Sequence, residues 1–345
     1  NDKAEKSTTS VQGKYVIVEV LAEMATPVFP AETKETMAGP GVGTPREMGN
    51  NKSKTAIVTN AVITQSEPVS TVDGKVYGPV AEPMQSTKEV CLIVDDFKQF
   101  EYYDKNTDIT LKYNLYIPKD YDPSKSYPLV LFIHDASGAG KDIKNTLTQG
   151  LGAVIWASPE EQAKHECFVL APQYNVVTVD DNFNTTSDLD VTLLLLKDIQ
   201  NQYSVDKNRI YTTGQSMGCM SSIVLMLREP DLFAAAMLVA GQWNPEIMGP
   251  LAKKDLWILV SQGDKKASGG MDAAVEIWKK AGGKISEAYW DPKATKAEQA
   301  ENVAKMEAEN SNIKYTKFYG GSHNYTWWIA YSIEGVRDWL FSQSK

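Results

Sequence analysis

The chain has 345 residues, of which 42% are hydrophobic and 23% charged, the balance of an ordinary globular protein with ample material for a large core. Its net charge of -9 argues against a nucleic-acid partner, because a phosphate-binding surface needs clustered Lys and Arg. No run approaches the roughly 18 apolar residues of a membrane span, and a chain of this length fits about two domains.

Residues 1–88 read as a small all-β module. Short β-rich runs at 15–21, 56–64 and 90–94 are separated by Pro, Gly and Thr clusters such as AGPGVGTP, with neither a helical period nor strand-helix alternation. The chain opens NDKAEKSTTS without Met or a signal-peptide pattern. This reads as a mature or trimmed form, with the compartment open and secretion or a cell surface compatible. Residues 97–118, including LKYNLYIP, alternate as antiparallel entry strands would.

Beyond Tyr127 the rhythm becomes strand-helix alternation, which predicts an α/β domain over 89–345 built on a mostly parallel sheet. Nearly continuous apolar runs at 128–134, 167–172, 209–214, 234–241, 256–261 and 313–319 suit strands covered by helices on both faces. Helices are expected at 189–203, 217–229, 271–281 and 326–341. The stretch 291–312, DPKATKAEQAENVAKMEAENSN, reads as a charged helical insertion, with too few apolar residues for core, and so as a flap or lid. The acidic loop VDDNFNTTSDLD lacks the ligand spacing and central Gly of a calcium loop, so its Asp and Asn read as turn and cap residues. Cys91, Cys167 and Cys219 are odd in number, widely spaced and set in apolar segments, which fits small buried hydrophobes rather than a disulfide or zinc framework.

Gly214-Gln215-Ser216-Met217-Gly218 matches Gly-x-Ser-x-Gly. Chance alone yields that pattern in about one chain in ten of this length, so the setting carries the inference. A strand, RIYTT, runs in and a helix, MGCMSSIVLML, runs out, which is the sharp turn that presents a nucleophilic Ser at the carboxyl edge of a sheet. A neutral hydroxyl needs a base. Of the three histidines only His323 follows Ser216, as the chain order Ser, acid, His requires. Asp264, directly after the strand LWILVS, is the first candidate for the acid; Glu246 is the second, and Asp272 reads as a helix first-turn residue. The amides of Met217 and of Ala136, or alternatively Asp135, are the expected oxyanion donors. Trp243, Trp327, Trp328 and Tyr174 fall near strand ends and are candidates for a substrate pocket.

Together these residues resemble the α/β-hydrolase superfamily, in particular the dienelactone-hydrolase and prolyl-oligopeptidase-like esterases. The resemblance covers roughly 97–341, through the loop at His134, the CFVLAPQ strand, the elbow at Ser216 and the GGSHNYTW ending. Within that group the chain is similar to esterases carrying an N-terminal immunoglobulin-like module, which the resemblance then implies for 1–88. Asp135 stands where the group usually has Gly after His. The expected activity is hydrolysis of a small-molecule carboxylic ester through an acyl-enzyme, with no metal or organic cofactor. A peptidase with the same machinery, or a non-catalytic binding protein on this scaffold, are the rival readings. Acyl and alcohol specificity and oligomeric state are not legible.

Overall fold

The computed structural model describes residues 62–88 and 90–345, which divide into two compact units between Cys91 and Leu92. In the first unit Val62–Gln65 pairs antiparallel with Val80–Gln85, and Val69–Ser70 with Val76–Tyr77. The β reading of 56–64 is met from Val62 onward. The run at 15–21, with most of the immunoglobulin-like reading of 1–88, lies outside the described residues. The run at 90–94 is not a strand: Val94–Asp96 forms a single 3-10 turn.

The second unit is a nine-stranded sheet flanked by helices. Its strands are β1 Lys98–Asp104, β2 Ile109–Tyr116, β3 Tyr127–Ile133, β4 Phe168–Gln173 and β5 Val205–Gln215. They continue with β6 Ala235–Val239, β7 Asp255–Ser261, β8 Ile285–Trp290 and β9 Ile313–Phe318. The spatial order is β8-β9-β7-β6-β5-β3-β4-β2-β1. β1 and β2 join by antiparallel pairing, whereas all pairings from β4 to β8 are parallel. The carboxyl ends of β3, β5, β6, β7 and β9 therefore open on one edge.

Side-chain alternation along each strand divides the core in two. Leu129, Leu131, Ile133, Leu256, Ile258 and Val260 pack on one face. Val130, Phe132, Trp257 and Leu259 pack on the other. Helices α1 Asp188–Gln202, α2 Met217–Arg228 and α3 Lys265–Lys280 supply the first face. Helices α4 Lys296–Ala308, α5 His323–Ser332 and α6 Glu334–Ser342 supply the second. No described helix is long and apolar enough to cross a membrane.

Several boundaries differ from expectation. α3 begins six residues early because the Asp264 side chain accepts the Ala267 amide and caps it. The expected helix 326–341 is two, broken where Ile333 turns extended. The stretch 291–312 is not a flap: α4 is the crossover from β8 to β9, opened by a Thr295–Glu298 capping box. It buries Val303 and Met306, with Val303 set against Gly335 of α6. The acidic loop behaves as read, with Asp180 accepting the amides of Asn182 and Asn184 at 2.9 and 3.0 Å. Cys167 and Cys219 are buried, but Cys91 is exposed.

Candidate active site

β5 is the middle strand of the sheet, and the chain leaves it through a turn in which Ser216 takes φ 55°, ψ -117° before α2 starts at Met217. A non-Gly residue at positive φ is strained and persists only where its surroundings hold it. Here the Ser216 amide donates to Val239 O of β6 at 2.9 Å. Gly is required on both sides. A Cβ at Gly214 would lie 2.4 Å from the Gly218 carbonyl carbon, and one at Gly218 would lie 1.9 Å from Ile133 O. The same contact seats α2 against the end of β3, beside the loop that carries Asp135 and Ala136.

Two further loops reach this turn. Asp264 follows β7 by three residues and His323 follows β9 by five, and these strands are paired neighbours. The loops clasp each other, since Gly263 N donates to Gly320 O at 2.7 Å. A Cβ on Gly263 would fall 1.9 Å from Gly321 O, so nothing larger than Gly fits between them. The result is a line of contacts: Ser216 Oγ to His323 Nε2 at 2.8 Å, and His323 Nδ1 to Asp264 Oδ2 at 2.5 Å. Asp264 is almost fully buried, whereas the His323 side chain stays partly open to solvent. Trp327, one helical turn on, sets its ring edge-on to the imidazole at 5.4 Å between centroids.

The other candidates separate clearly. Glu246 is exposed in the 3-10 turn Pro245–Ile247, away from this line of contacts. Asp272 instead pairs with Lys317 and accepts the Tyr315 hydroxyl at 2.8 Å. Among the described residues no acceptor takes the amides of Met217 or Ala136, whereas the Asp135 amide donates to Gln149 Oε1 at 3.3 Å. Tyr174 is not a pocket residue: it is wholly buried, with its hydroxyl on Thr192 Oγ1 at 2.8 Å. Trp243 is likewise in the core at 3% exposure, and the ring that reaches solvent beside it is Phe183, edge-on at 5.3 Å. Trp328 lies against Gly150. Phe183 had no legible signal, since it sits at φ 63° in a polar loop.

His134 is a fully buried brace. Its Nδ1 donates to Asp135 O at 2.7 Å and its Nε2 accepts the Tyr174 amide at 3.0 Å. Burial holds its imidazole below the ordinary histidine range and so keeps it neutral. One group of metal-ligand type occurs among the described residues, Glu161, His165 and Asp338, with atoms within 4.8 Å of one another. It contains no residue of the Ser216 line. Its members already have partners: Glu161 Oε2 accepts from Arg337 Nε at 2.7 Å, and His165 Nε2 meets Asp338 Oδ1 at 2.8 Å.

A mostly parallel sheet flanked by helices, with a strained Ser at the end of its middle strand, defines an α/β-hydrolase fold. Residues 105–338 match the Esterase family, and the chain belongs to it. A solved thermostable esterase superposes with a TM-score of 0.69 at 27% identity, covering 82% of this chain and 72% of its own. The feruloyl esterase module from Clostridium thermocellum, complexed with sinapinate, shares the fold at a TM-score of 0.50 and 14% identity over 73% of this chain and 90% of that one. An endo-1,4-beta-xylanase/feruloyl esterase of Xylanibacter ruminicola is 27% identical over 203 residues. That match takes in 54% of this chain and only 27% of the relative's length.

Proposed function

We propose that this carboxylic ester hydrolase works through a Ser216–His323–Asp264 triad and an acyl-enzyme. The observation that carries the reading is the imidazole of His323 spanning Ser216 Oγ at 2.8 Å and Asp264 at 2.5 Å. His323 Nε2 takes the Ser216 proton as Oγ attacks the ester carbonyl, and Asp264 fixes the tautomer and offsets the imidazolium. The free amides of Met217 and Ala136 receive the oxyanion, with the amino end of α2 adding its positive dipole. Protonated His323 then gives its proton to the departing alcohol. Water, deprotonated in turn by His323, releases the acid and restores Ser216.

The relatives' names make feruloyl esters the first acyl class to try, beside p-nitrophenyl esters of graded length, acetylated sugars and peptides. Ser216→Ala is expected to lower kcat by several orders of magnitude with the fold retained. A fluorophosphonate probe is expected to label Ser216 and no other serine. Unchanged esterase activity in the alanine variant, or labelling at a different serine, would overturn the triad.

A further inference from the structure

The loop that offers the Ala136 amide is only as useful as its distance from Ser216 is fixed, because oxyanion donors act through preorganisation. Every polar group of Asp135, the residue before it, is engaged. One carboxylate oxygen accepts the Ser137 amide at 2.7 Å and the other accepts Gln215 Nε2 at 3.2 Å. The Asp135 amide goes to Gln149 Oε1 at 3.3 Å and its carbonyl receives His134 Nδ1 at 2.7 Å. Gln215 is the residue immediately before Ser216, and both it and Asp135 are almost completely buried. A side-chain bond thus links the residue preceding the Ala136 donor to the residue preceding the nucleophile, across the paired strands β3 and β5. The backbone ladder between those strands ends at Ile133 and Gly214, so it does not itself join Asp135 to Gln215, which pairs instead with Val239 of β6.

We infer that the Asp135–Gln215 bond is a positioning brace that sets the Ala136 amide against Ser216. Neither side chain touches substrate. The inference rests on the triad and oxyanion reading proposed above. A buried carboxylate beside a site where negative charge develops is electrostatically unfavourable, so its retention needs a positional return. Holding a donor in place can supply that return, since a misplacement of about 1 Å costs on the order of 10²-fold in rate.

The test uses the full chain with Asp135→Ala, Gln215→Ala and the double variant. Asp135→Ala is expected to lower kcat about 30- to 100-fold with KM within about twofold, the split of an interaction made in the transition state. Gln215→Ala, which breaks the brace from its other end if Asp135→Ala folds poorly, is expected to do the same. The double variant is expected to be no slower than the worse single, because the two act as one unit. Affinity for a trifluoromethyl ketone, which builds a tetrahedral oxyanion on Ser216, is expected to fall in step with kcat, while affinity for the product acid holds. Asp135→Asn keeps an acceptor for Ser137, and a flipped Gln215 amide restores the second bond, so this variant is expected to recover most of the rate. Fully additive losses, or a lowered Tm with kcat intact, would overturn the brace. Failure of the parent reading is distinguishable, because it appears as missing Ser216 labelling in the unsubstituted protein.

Discussion

At the scale of single residues, two carboxylates competed for one role and burial separates them. Asp264 is 3% exposed and meets His323, whereas Glu246 faces solvent in a short turn. Asp264→Asn is nearly isosteric but leaves the far imidazole nitrogen without a charged partner. Its kcat is expected to fall by a factor on the order of 10⁴, while Glu246→Gln stays within about twofold. Steady-state kinetics on one activated ester decides this, and the opposite ranking would move the acid to Glu246. His134 makes a second prediction. Its folded pKa lies below the ordinary value of 6.5, so between those values the unfolded chain binds a proton that the folded chain does not. Stability is then complete above about pH 6.5 and is lost as pH falls below it, at up to about 1.4 kcal/mol per pH unit for one proton. Denaturant midpoints at pH 7.5, 6.5 and 5.5 are expected to decline in the parent protein and to decline less in His134→Gln. Equal slopes in the two proteins would remove His134 as the source.

At the scale of elements, the sequence was most legible where one strand carries one unbroken apolar run. The six strands expected from β3 to β9 are all present, and the order Ser, Asp, His along the chain follows from which strand ends they occupy. β8 went unread because ISEAYW sits at the sheet edge and alternates buried and open positions around Glu287, leaving no run to see. The start of α3 was hidden by its two glycines, although Gly270 is there because a Cβ would meet the Gln242 side chain at 2.4 Å. Asp264, the proposed acid, was harder to read than Ser216, the proposed nucleophile. It is at once a helix cap and the partner of His323, and only the first role leaves a local pattern. The spacing that matters, between loops 59 residues apart, is set by the clasp of Gly263 on Gly320 and Gly321. Gly263→Ala is therefore expected to drive the two loops apart. Activity should fall at least 10²-fold and Tm should drop by several degrees, because backbone rather than a flexible side chain blocks the added methyl. Near-normal kcat in a folded Gly263→Ala protein would show that the clasp does not set the His323–Asp264 contact.

At the scale of the whole molecule, the question is which residues the hydrolytic unit needs. Both buried clusters of the sheet domain draw their described members from Val94 onward, with none from the strands between Val62 and Gln85. In those strands Val62, Val69, Val76, Tyr77, Val80 and Met84 are all exposed, so they contribute no described core. Every residue assigned here to the Ser216 line, its amides and its braces lies between His134 and His323, within the span matched by the Esterase family. A chain starting at Leu92 therefore keeps every described residue of those two clusters, and its folding is expected to be cooperative without residues 1–91. Such a chain is expected to hydrolyse a small ester such as p-nitrophenyl acetate with kcat within about threefold of the full chain, and to be labelled at Ser216 by a fluorophosphonate. The role of residues 1–88 is then to be sought in substrates too large for the site alone. The full and shortened chains should be compared on a feruloylated polysaccharide as well as on the free aryl ester. Loss on the polymer with retention on the small ester would assign the residues before Leu92 to substrate recruitment. Loss of folding or of small-ester hydrolysis in the shortened chain would mean that residues before Leu92 belong to the structural core of the enzyme, contrary to this prediction.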